Sequence, residues 1–169
     1  MTHFVAMVVV PPNEINNEDY LADMLWYWDE NRTVEPYADE EGNTTTYNQE
    51  RKFDYWTIIS PSNPEAWWTD YFQSPERPSE ALKRLRDIYA DRVPPDEDNP
   101  PSLDGDGLRL RWYFPKWVVV DYASFDYGRV GWFGFFRPTD TDASWMTHCE
   151  SALAAASGDA RVYWLDCHI

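Results

Sequence analysis

The residue types that could support chemistry together are two histidines and one aspartate near the two ends of the sequence. Asp166 and His168 stand two positions apart in a strand-like segment that begins at residue 161. His3 opens the first strand-like segment. Because side chains alternate across a strand, Asp166 and His168 share one face and Cys167 points to the other. An imidazole oriented by a carboxylate can accept or donate a proton, so one interpretation is a metal-free site in which Asp166 orients His168 as a general base.

The same three side chains are also candidate metal ligands. Two imidazoles and a carboxylate would bind Zn²⁺ or another divalent cation and leave one coordination position open for water. Asp29, Glu30 and Asp54 are the acids that could join this set. The remaining alternative is structural, with His3 and His168 hydrogen-bonded to the backbone at the edge of a sheet. No CxxC or HExxH spacing occurs, which excludes the zinc-finger class, and we expect no cofactor apart from such a metal.

The two cysteines are predicted to be buried thiols rather than nucleophiles. Cys167 lies on the strand face opposite to His168. Cys149 is next to His148 in sequence but about 100° away from it around the axis of a predicted helix. We expect no signal peptide, and the sequence has no long apolar run. We therefore expect a cytoplasmic protein with reduced thiols.

The sequence is acidic, and the charge is concentrated in its first third. The formal net charge is −16, and residues 1–50 contribute −10 of it, with eleven Asp or Glu against one Arg. Like-charge repulsion disfavours direct binding to nucleic acid and to anionic membranes. The acids have two interpretations. They either serve solubility alone, or they form a surface that imitates the phosphates of nucleic acid and so binds a basic protein. The residues of that predicted surface are Glu35, Asp39, Glu40 and Glu41.

Hydrophobic periodicity predicts a single α+β domain that spans residues 1–169. Apolar runs and alternation indicate strands at 3–10, 52–59, 108–120, 129–136 and 161–169, and helical spacing indicates helices from residue 18, at 80–92 and at 143–157. Residues 121–128 are predicted to form a hairpin turn, 60–107 an insertion that carries a helix, and 38–50 and 94–107 mobile loops. The predicted fold is a single, mostly antiparallel sheet with helices packed on it, in a ferredoxin-like β-α-β-β-α-β plan with a helical insertion.

In that plan the first and last strands are antiparallel neighbours. The beginning of the first strand then lies beside the end of the last strand, which brings His3 near Asp166 and His168. The acid–base and metal hypotheses both depend on this pairing, because a different strand order would separate the two histidines.

Two further segments contain candidate binding residues. Asp29-Glu30-Asn31 follows the first helix, where acids oppose the helix dipole. One interpretation is a binding site for a cation or a protein partner. The other is a turn with Asn31 in the left-handed conformation. Gly131-Trp132-Phe133-Gly134 is either a stacking platform for a ring or a bulge in a core strand. A small-ligand sequestering protein, a third functional class, would use an aromatic pocket around Trp56 and Trp132.

Five segments together resemble a known protein family. They are Thr2-His3-Phe4, Asp29-Glu30-Asn31 with Val34-Glu35-Pro36-Tyr37, Lys52-Phe53-Asp54-Tyr55-Trp56, Gly131-Trp132-Phe133-Gly134 and Asp166-Cys167-His168-Ile169. In this order they resemble the His-Phe, YDEN, KWDWY, GWFG and DCHI segments of a family of small proteins encoded mainly by bacteriophages and prophages. The resemblance does not extend to residues 60–110, and Ile58-Ile59-Ser60-Pro61 stands where the family has a Gly-Gly-Arg-Trp turn.

The resemblance implies a phage or prophage accessory protein that acts in the cytoplasm of the host cell. The family has no established reaction, so the resemblance names an origin rather than an activity. Together with the acidic charge, it favours a non-enzymatic binder or inhibitor of a host protein, such as a defence or nucleic-acid-handling factor. A small enzyme, either metal-dependent or using His3, Asp166 and His168 alone, is the alternative function.

Overall fold

The computed structural model describes residues 3–14, 18–63, 71–92, 114–130 and 136–169 of the chain. The strands are β1 (His3–Val10), β2 (Tyr37–Ala38), β3 (Thr44–Thr45), β4 (Tyr55–Ile58), β5 (Trp117–Val120), β6 (Ala123–Asp126), β7 (Gly128–Val130), β8 (Phe136–Pro138) and β9 (Arg161–His168). The α-helices are α1 (Glu18–Leu25), α2 (Pro78–Arg92) and α3 (Asp142–Ala155), and two short 3-10 helices are formed by Pro12–Glu14 and Trp26–Trp28.

A five-stranded mixed sheet in the order β4-β9-β1-β5-β6 forms the centre of the fold. β1 and β5 are parallel, and the other three neighbouring pairs are antiparallel. β2 pairs with β3, and β7 pairs with β8, in two separate two-stranded sheets. The predicted α+β class is confirmed, and so is the antiparallel pairing of the first and last strands.

Both faces of β1 are buried, because helices cover both sides of the sheet. On one face Val5 and Met7 pack with residues of α2 and α3, and on the other Phe4 and Ala6 pack with α1. Seven of the eight residues of β1 are buried, as expected for a β-branched run without alternation. The ferredoxin-like plan, which places its helices on one face of the sheet, is not seen in the described part of the chain.

The predicted turn at residues 121–128 is wrong. β5 and β6 pair through a two-residue turn at Asp121 and Tyr122, whose φ angles are +47° and +64°. Positive φ at both positions is the type I′ geometry that Gly and Asn usually supply, so this Asp-Tyr pair lacks the usual signal of a tight hairpin. Within the predicted turn, Ala123–Asp126 form the strand β6. Parts of the two predicted flanking strands, residues 108–113 and 131–135, lie outside the described residues.

The helices begin close to their predicted positions. The N-cap of α3 is Thr141, because Thr141 Oγ1 accepts a hydrogen bond from the Ser144 backbone N–H at 3.1 Å. No helix in the described part of the chain is both long and apolar enough to cross a membrane.

The predicted loops and insertion are only partly described. Residues 38–50 include most of the β2–β3 hairpin, and their mobility stays a prediction. The predicted loop at 94–107 lies outside the described residues. The predicted insertion at 60–107 contributes α2, which packs on the same face of the sheet as α3.

Glu76, in the segment before α2, is hydrogen-bonded to the last strand and forms a buried ion pair with Arg84 of α2. The Glu76 backbone exchanges two hydrogen bonds with Val162, at 3.0 and 2.7 Å. Its carboxylate accepts from the Trp164 indole N–H at 2.6 Å and lies 2.9 Å from the Arg84 guanidinium. The Glu76 side chain is 3% exposed and that of Arg84 is 18% exposed. Loss of the carboxylate would therefore leave a largely buried cation without its anion.

We predict that Glu76→Ala lowers the free energy of unfolding by about 3 kcal/mol, the lower part of the range for breaking a buried pair, since Arg84 keeps some solvent contact. The matched control is Glu150→Ala. Glu150 pairs with Arg86 at the same 2.9 Å distance, but the two side chains are 37% and 62% exposed, so the expected loss is at most about 1 kcal/mol. Urea denaturation measures the free energy of unfolding of both variants. Equal losses would contradict the conclusion that the buried Glu76–Arg84 pair contributes more to stability than the exposed pair.

Candidate functional site

Three rings form a row across neighbouring strands at one end of the sheet. His3 of β1 and Tyr55 of β4 are both register partners of His168 in β9. Directly opposite residues of an antiparallel pair project to the same face, so the three side chains lie side by side. The ring centroids of His3 and His168 are 4.9 Å apart at an interplanar angle of 70°, and Tyr55 stacks on His168 at 4.5 Å and 24°. The two ends of the sequence therefore meet, as the sequence hypothesis requires.

His3 is paired with Asp166. His3 Nδ1 lies 3.0 Å from Asp166 Oδ1 and 3.1 Å from Oδ2, so a proton on Nδ1 is donated to the carboxylate. Asp166 is 4% exposed, and a buried carboxylate stays charged only where such donors face it. His3 is the more accessible partner, with 18% of its side chain exposed.

His168 is held by Asp54 rather than by Asp166. Its Nδ1 lies 2.7 Å from Asp54 Oδ1. The same two residues are joined through the backbone, where the Asp54 N–H donates to the His168 carbonyl at 2.8 Å. A proton on Nδ1 is donated to the carboxylate, so the opposite nitrogen, Nε2, carries the lone pair of the neutral ring. Two separate imidazole–carboxylate pairs thus stand next to each other.

The Nε2 atom of His168 is buried and has no hydrogen-bond partner among the described residues. His168 as a whole is 3% exposed. Buried polar side-chain atoms are nearly always hydrogen-bonded, so an unsatisfied ring nitrogen needs a physical reason. A nitrogen that must receive a proton from a bound molecule is one such reason.

The metal hypothesis gains no support from this geometry. No group of three or more His, Cys, Asp or Glu side chains in the described ranges is arranged to hold a metal ion. Asp166 and Asp54 each bind the Nδ1 of a different histidine, at 3.0 and 2.7 Å. Each carboxylate is therefore placed to orient one imidazole.

The Asp29-Glu30-Asn31 segment lies against the lead-in to β4. Its backbone forms an isolated parallel bridge between Asp29 and Phe53, and the Glu30 N–H donates to the Phe53 carbonyl at 2.8 Å. Glu30 Oε1 accepts a 2.5 Å hydrogen bond from the Tyr47 hydroxyl. The predicted left-handed conformation of Asn31 is wrong, because the only non-glycine residues with positive φ in the described part of the chain are the two of the β5–β6 turn.

The predicted acidic surface lies on and beside the β2–β3 hairpin. Glu35, Glu40 and Glu41 are exposed, and Asp39 is half-buried. Asp39 Oδ1 accepts from the backbone N–H groups of Glu41 at 3.0 Å and of Asn43 at 2.8 Å. Asp39 therefore orders the turn, while its neighbours present their carboxylates to solvent.

The predicted aromatic pocket can be assessed for only one of its two tryptophans. Trp56 is partly buried against the core on the α1 side of the sheet, and it lines a cavity of about 610 Å³ with Ser60, Ser62 and Tyr163. Trp132, with the rest of residues 131–134, lies outside the described residues. The small-ligand hypothesis therefore rests on Trp56 alone.

Both cysteines are buried free thiols, as predicted. Trp164 packs on the α2 and α3 side of the sheet, whereas Leu165 and Cys167 pack on the α1 side, which confirms the predicted alternation along β9. Burial raises the pKa of the Cys149 thiol from 9.0 to about 12 and that of Cys167 well above its ordinary value. Because these folded-state pKa values are raised, the stability gained from neutral thiols is complete below about pH 9 and is lost as the pH rises towards 12.

We predict that neither thiol of the folded protein reacts with a disulfide reagent such as DTNB at about pH 8, because the thiolate is the reactive form. Both thiols should react fully after unfolding in urea, which serves as the control. In a pH series, the free energy of unfolding should fall between pH 9 and 12, and Cys149→Ala should reduce that fall. A thiol that reacts rapidly in the folded protein would contradict its structural role.

The residues that sequence reasoning placed least well are Asp54 and Tyr55. The sequence hypothesis gives Asp54 only as an acid that could lie near the histidines, and it omits Tyr55. Both enter the site because β4 pairs with β9, a long-range contact that no local pattern specifies. The sequence feature that bears on the position of Tyr55 is the alternation of the 52–59 strand, because it places Tyr55 on one defined face of that strand.

Comparison with protein-family models, with curated proteins and with solved structures gives no significant match for this chain. What the site can do therefore follows from its own geometry.

Proposed function

We propose that His168 and His3 form a metal-independent acid–base site that hydrolyses a small, uncharged ester or amide. The observation that supports this function is the state of His168. Its Nδ1 is bonded to Asp54, while its buried Nε2 has no hydrogen-bond partner among the described residues. An oriented imidazole with a free lone pair is the arrangement of a general base.

In the proposed reaction His168 Nε2 takes a proton from a water molecule. The resulting hydroxide forms a bond to the carbonyl carbon, and the bond to the leaving oxygen or nitrogen breaks as that atom receives a proton. The Asp54 carboxylate stabilises the imidazolium that forms on His168. His3 delivers this second proton when it is in its charged form. Its ring centroid is 4.9 Å from that of His168, and its Nδ1 is hydrogen-bonded to Asp166.

Charge and burial select the substrate class. A protein with a net charge of −16 repels phosphate esters, so a neutral acyl compound is favoured over a phosphodiester. His168 Nε2 and the Asp166 carboxylate are both buried, and electrostatic interactions are stronger where bulk water is absent. Asp54 also lines a cleft of about 830 Å³, and its side chain is 37% exposed, so one side of this carboxylate keeps contact with solvent.

We predict that the purified protein hydrolyses neutral p-nitrophenyl esters in the presence of EDTA, and that His168→Gln or His3→Gln lowers kcat/KM by about 100-fold or more. The matched control is His148→Gln, which changes an exposed histidine on α3 and should leave the rate unchanged. A rate that is equal in wild type and His168→Gln, or that disappears with EDTA, would contradict the proposed function.

A second proposed function is binding to a basic protein of the host cell by a phage or prophage accessory protein. It is supported by the position of Glu35, Glu40 and Glu41, which are exposed around a turn that Asp39 orders. Residues 1–50 contribute −10 of the net charge of −16. Such a concentration of one sign of charge accelerates association with an oppositely charged partner and makes binding salt-dependent.

We predict that the protein captures a basic partner from host lysate at low salt, and that the double charge reversal Glu40→Lys and Glu41→Lys abolishes this capture. The control is the pair Asp87→Lys and Asp159→Lys, exposed acids elsewhere, which also changes the net charge from −16 to −12, since each reversal adds 2. Equal losses in both double variants would mean that total charge, not this hairpin, determines binding.

A further inference from the structure

Asn31 connects the segment after α1 to the carboxylate that holds His168. Its Nδ2 donates to the Asp54 backbone carbonyl at 3.0 Å and to Asp29 Oδ1 at 3.0 Å. Its backbone N–H donates to the same Asp29 oxygen at 2.7 Å. The Asn31 side chain is thus oriented by Asp29 and directed at Asp54.

The peptide between Asp54 and Tyr55 is held on both sides. Asn31 binds its carbonyl, and the Asp54 carboxylate accepts from its N–H, on Tyr55, at 2.8 Å. The oxygen that accepts from Tyr55 is Oδ1, the same atom that lies 2.7 Å from His168 Nδ1. Because one peptide plane sets the direction of this oxygen, a rotation of that plane would move the carboxylate away from the imidazole.

The Asn31 segment is itself fixed to the lead-in of β4. The Lys52 N–H donates to the Trp28 carbonyl at 2.8 Å, and the Glu30 N–H donates to the Phe53 carbonyl at 2.8 Å. Phe53 is 1% exposed, so this part of the backbone is anchored in the core. The Asn31 donor therefore has a defined position relative to Asp54.

We infer that Asn31 is a positioning residue for His168, acting through the backbone of Asp54. It holds the Asp54 carboxylate where it fixes the Nδ1–H tautomer of His168 and so keeps the lone pair on Nε2. The catalytic consequence of this inference rests on the proposed acid–base function, whereas its structural consequence can be measured without any substrate.

The test compares Asn31→Asp with Asn43→Asp. Both substitutions keep the size of the side chain and change the net charge from −16 to −17, but only the first replaces a donor that faces the Asp54 carbonyl with an acceptor. Asn43 lies in the exposed turn between β2 and β3. The measurement is the ¹H–¹⁵N NMR signal of the His168 Nδ1–H, which His168→Gln identifies by its absence.

Wild type and Asn43→Asp should show a slowly exchanging Nδ1–H signal, and Asn31→Asp should lose or shift it. Ester hydrolysis by Asn31→Asp should fall in kcat on the order of 10- to 100-fold, as expected for a misplaced catalytic group. If Asn31→Asp does not fold, Asn31→Ala removes the donor without adding a charge and should give the same spectral change.

A Nδ1–H signal that is unchanged in a folded Asn31 variant overturns the inference, even if the variant is less stable, because a purely structural role would lower stability alone. A changed signal in a protein that hydrolyses no ester supports the positioning role and contradicts the proposed reaction. The two ideas therefore fail in different experiments.

Discussion

The antiparallel pairing of β1 with β9 is the constraint on which the rest of the structure depends. It matches eight residues of each strand, from His3 with His168 to Val10 with Arg161. A slip by one residue would turn every side chain of one strand to the opposite face, and the two histidines would no longer meet. Burial of both faces of β1 prevents this slip, because the packing on α1 and the packing on α2 and α3 would be lost together.

The site gains its order from two sources, which are β9 itself and the segment that follows α1. Each imidazole has its own carboxylate, and the two acids reach the site differently. Asp166 comes from β9 itself, whereas Asp54 is the residue just before β4 and is held by the segment that follows α1. His3, Asn31, Asp54 and His168, which come from four separate segments of the sequence, thus belong to one network.

Sequence reasoning could predict the parts of this arrangement that local patterns control. Alternation was sufficient to place Asp166 and His168 on one face of a strand, and the apolar run at 3–10 was sufficient to predict the first strand. The hydrophobic face of a helix does not say which side of a sheet the helix will cover, so the distribution of α1, α2 and α3 was missed. The partner of His168 was missed for a related reason, since the contact between β4 and β9 joins residues 114 positions apart.

The order of the strands along the chain has a consequence for synthesis on the ribosome. β9 lies between β4 and β1 in the sheet, yet it is the last of these strands to be translated. Until it arrives, the hydrogen-bonding groups on one side of β1 and much of its apolar surface have no partner in the growing chain. Contacts between distant segments form slowly, so β1 stays open to aggregation until β9 has been translated and paired with it.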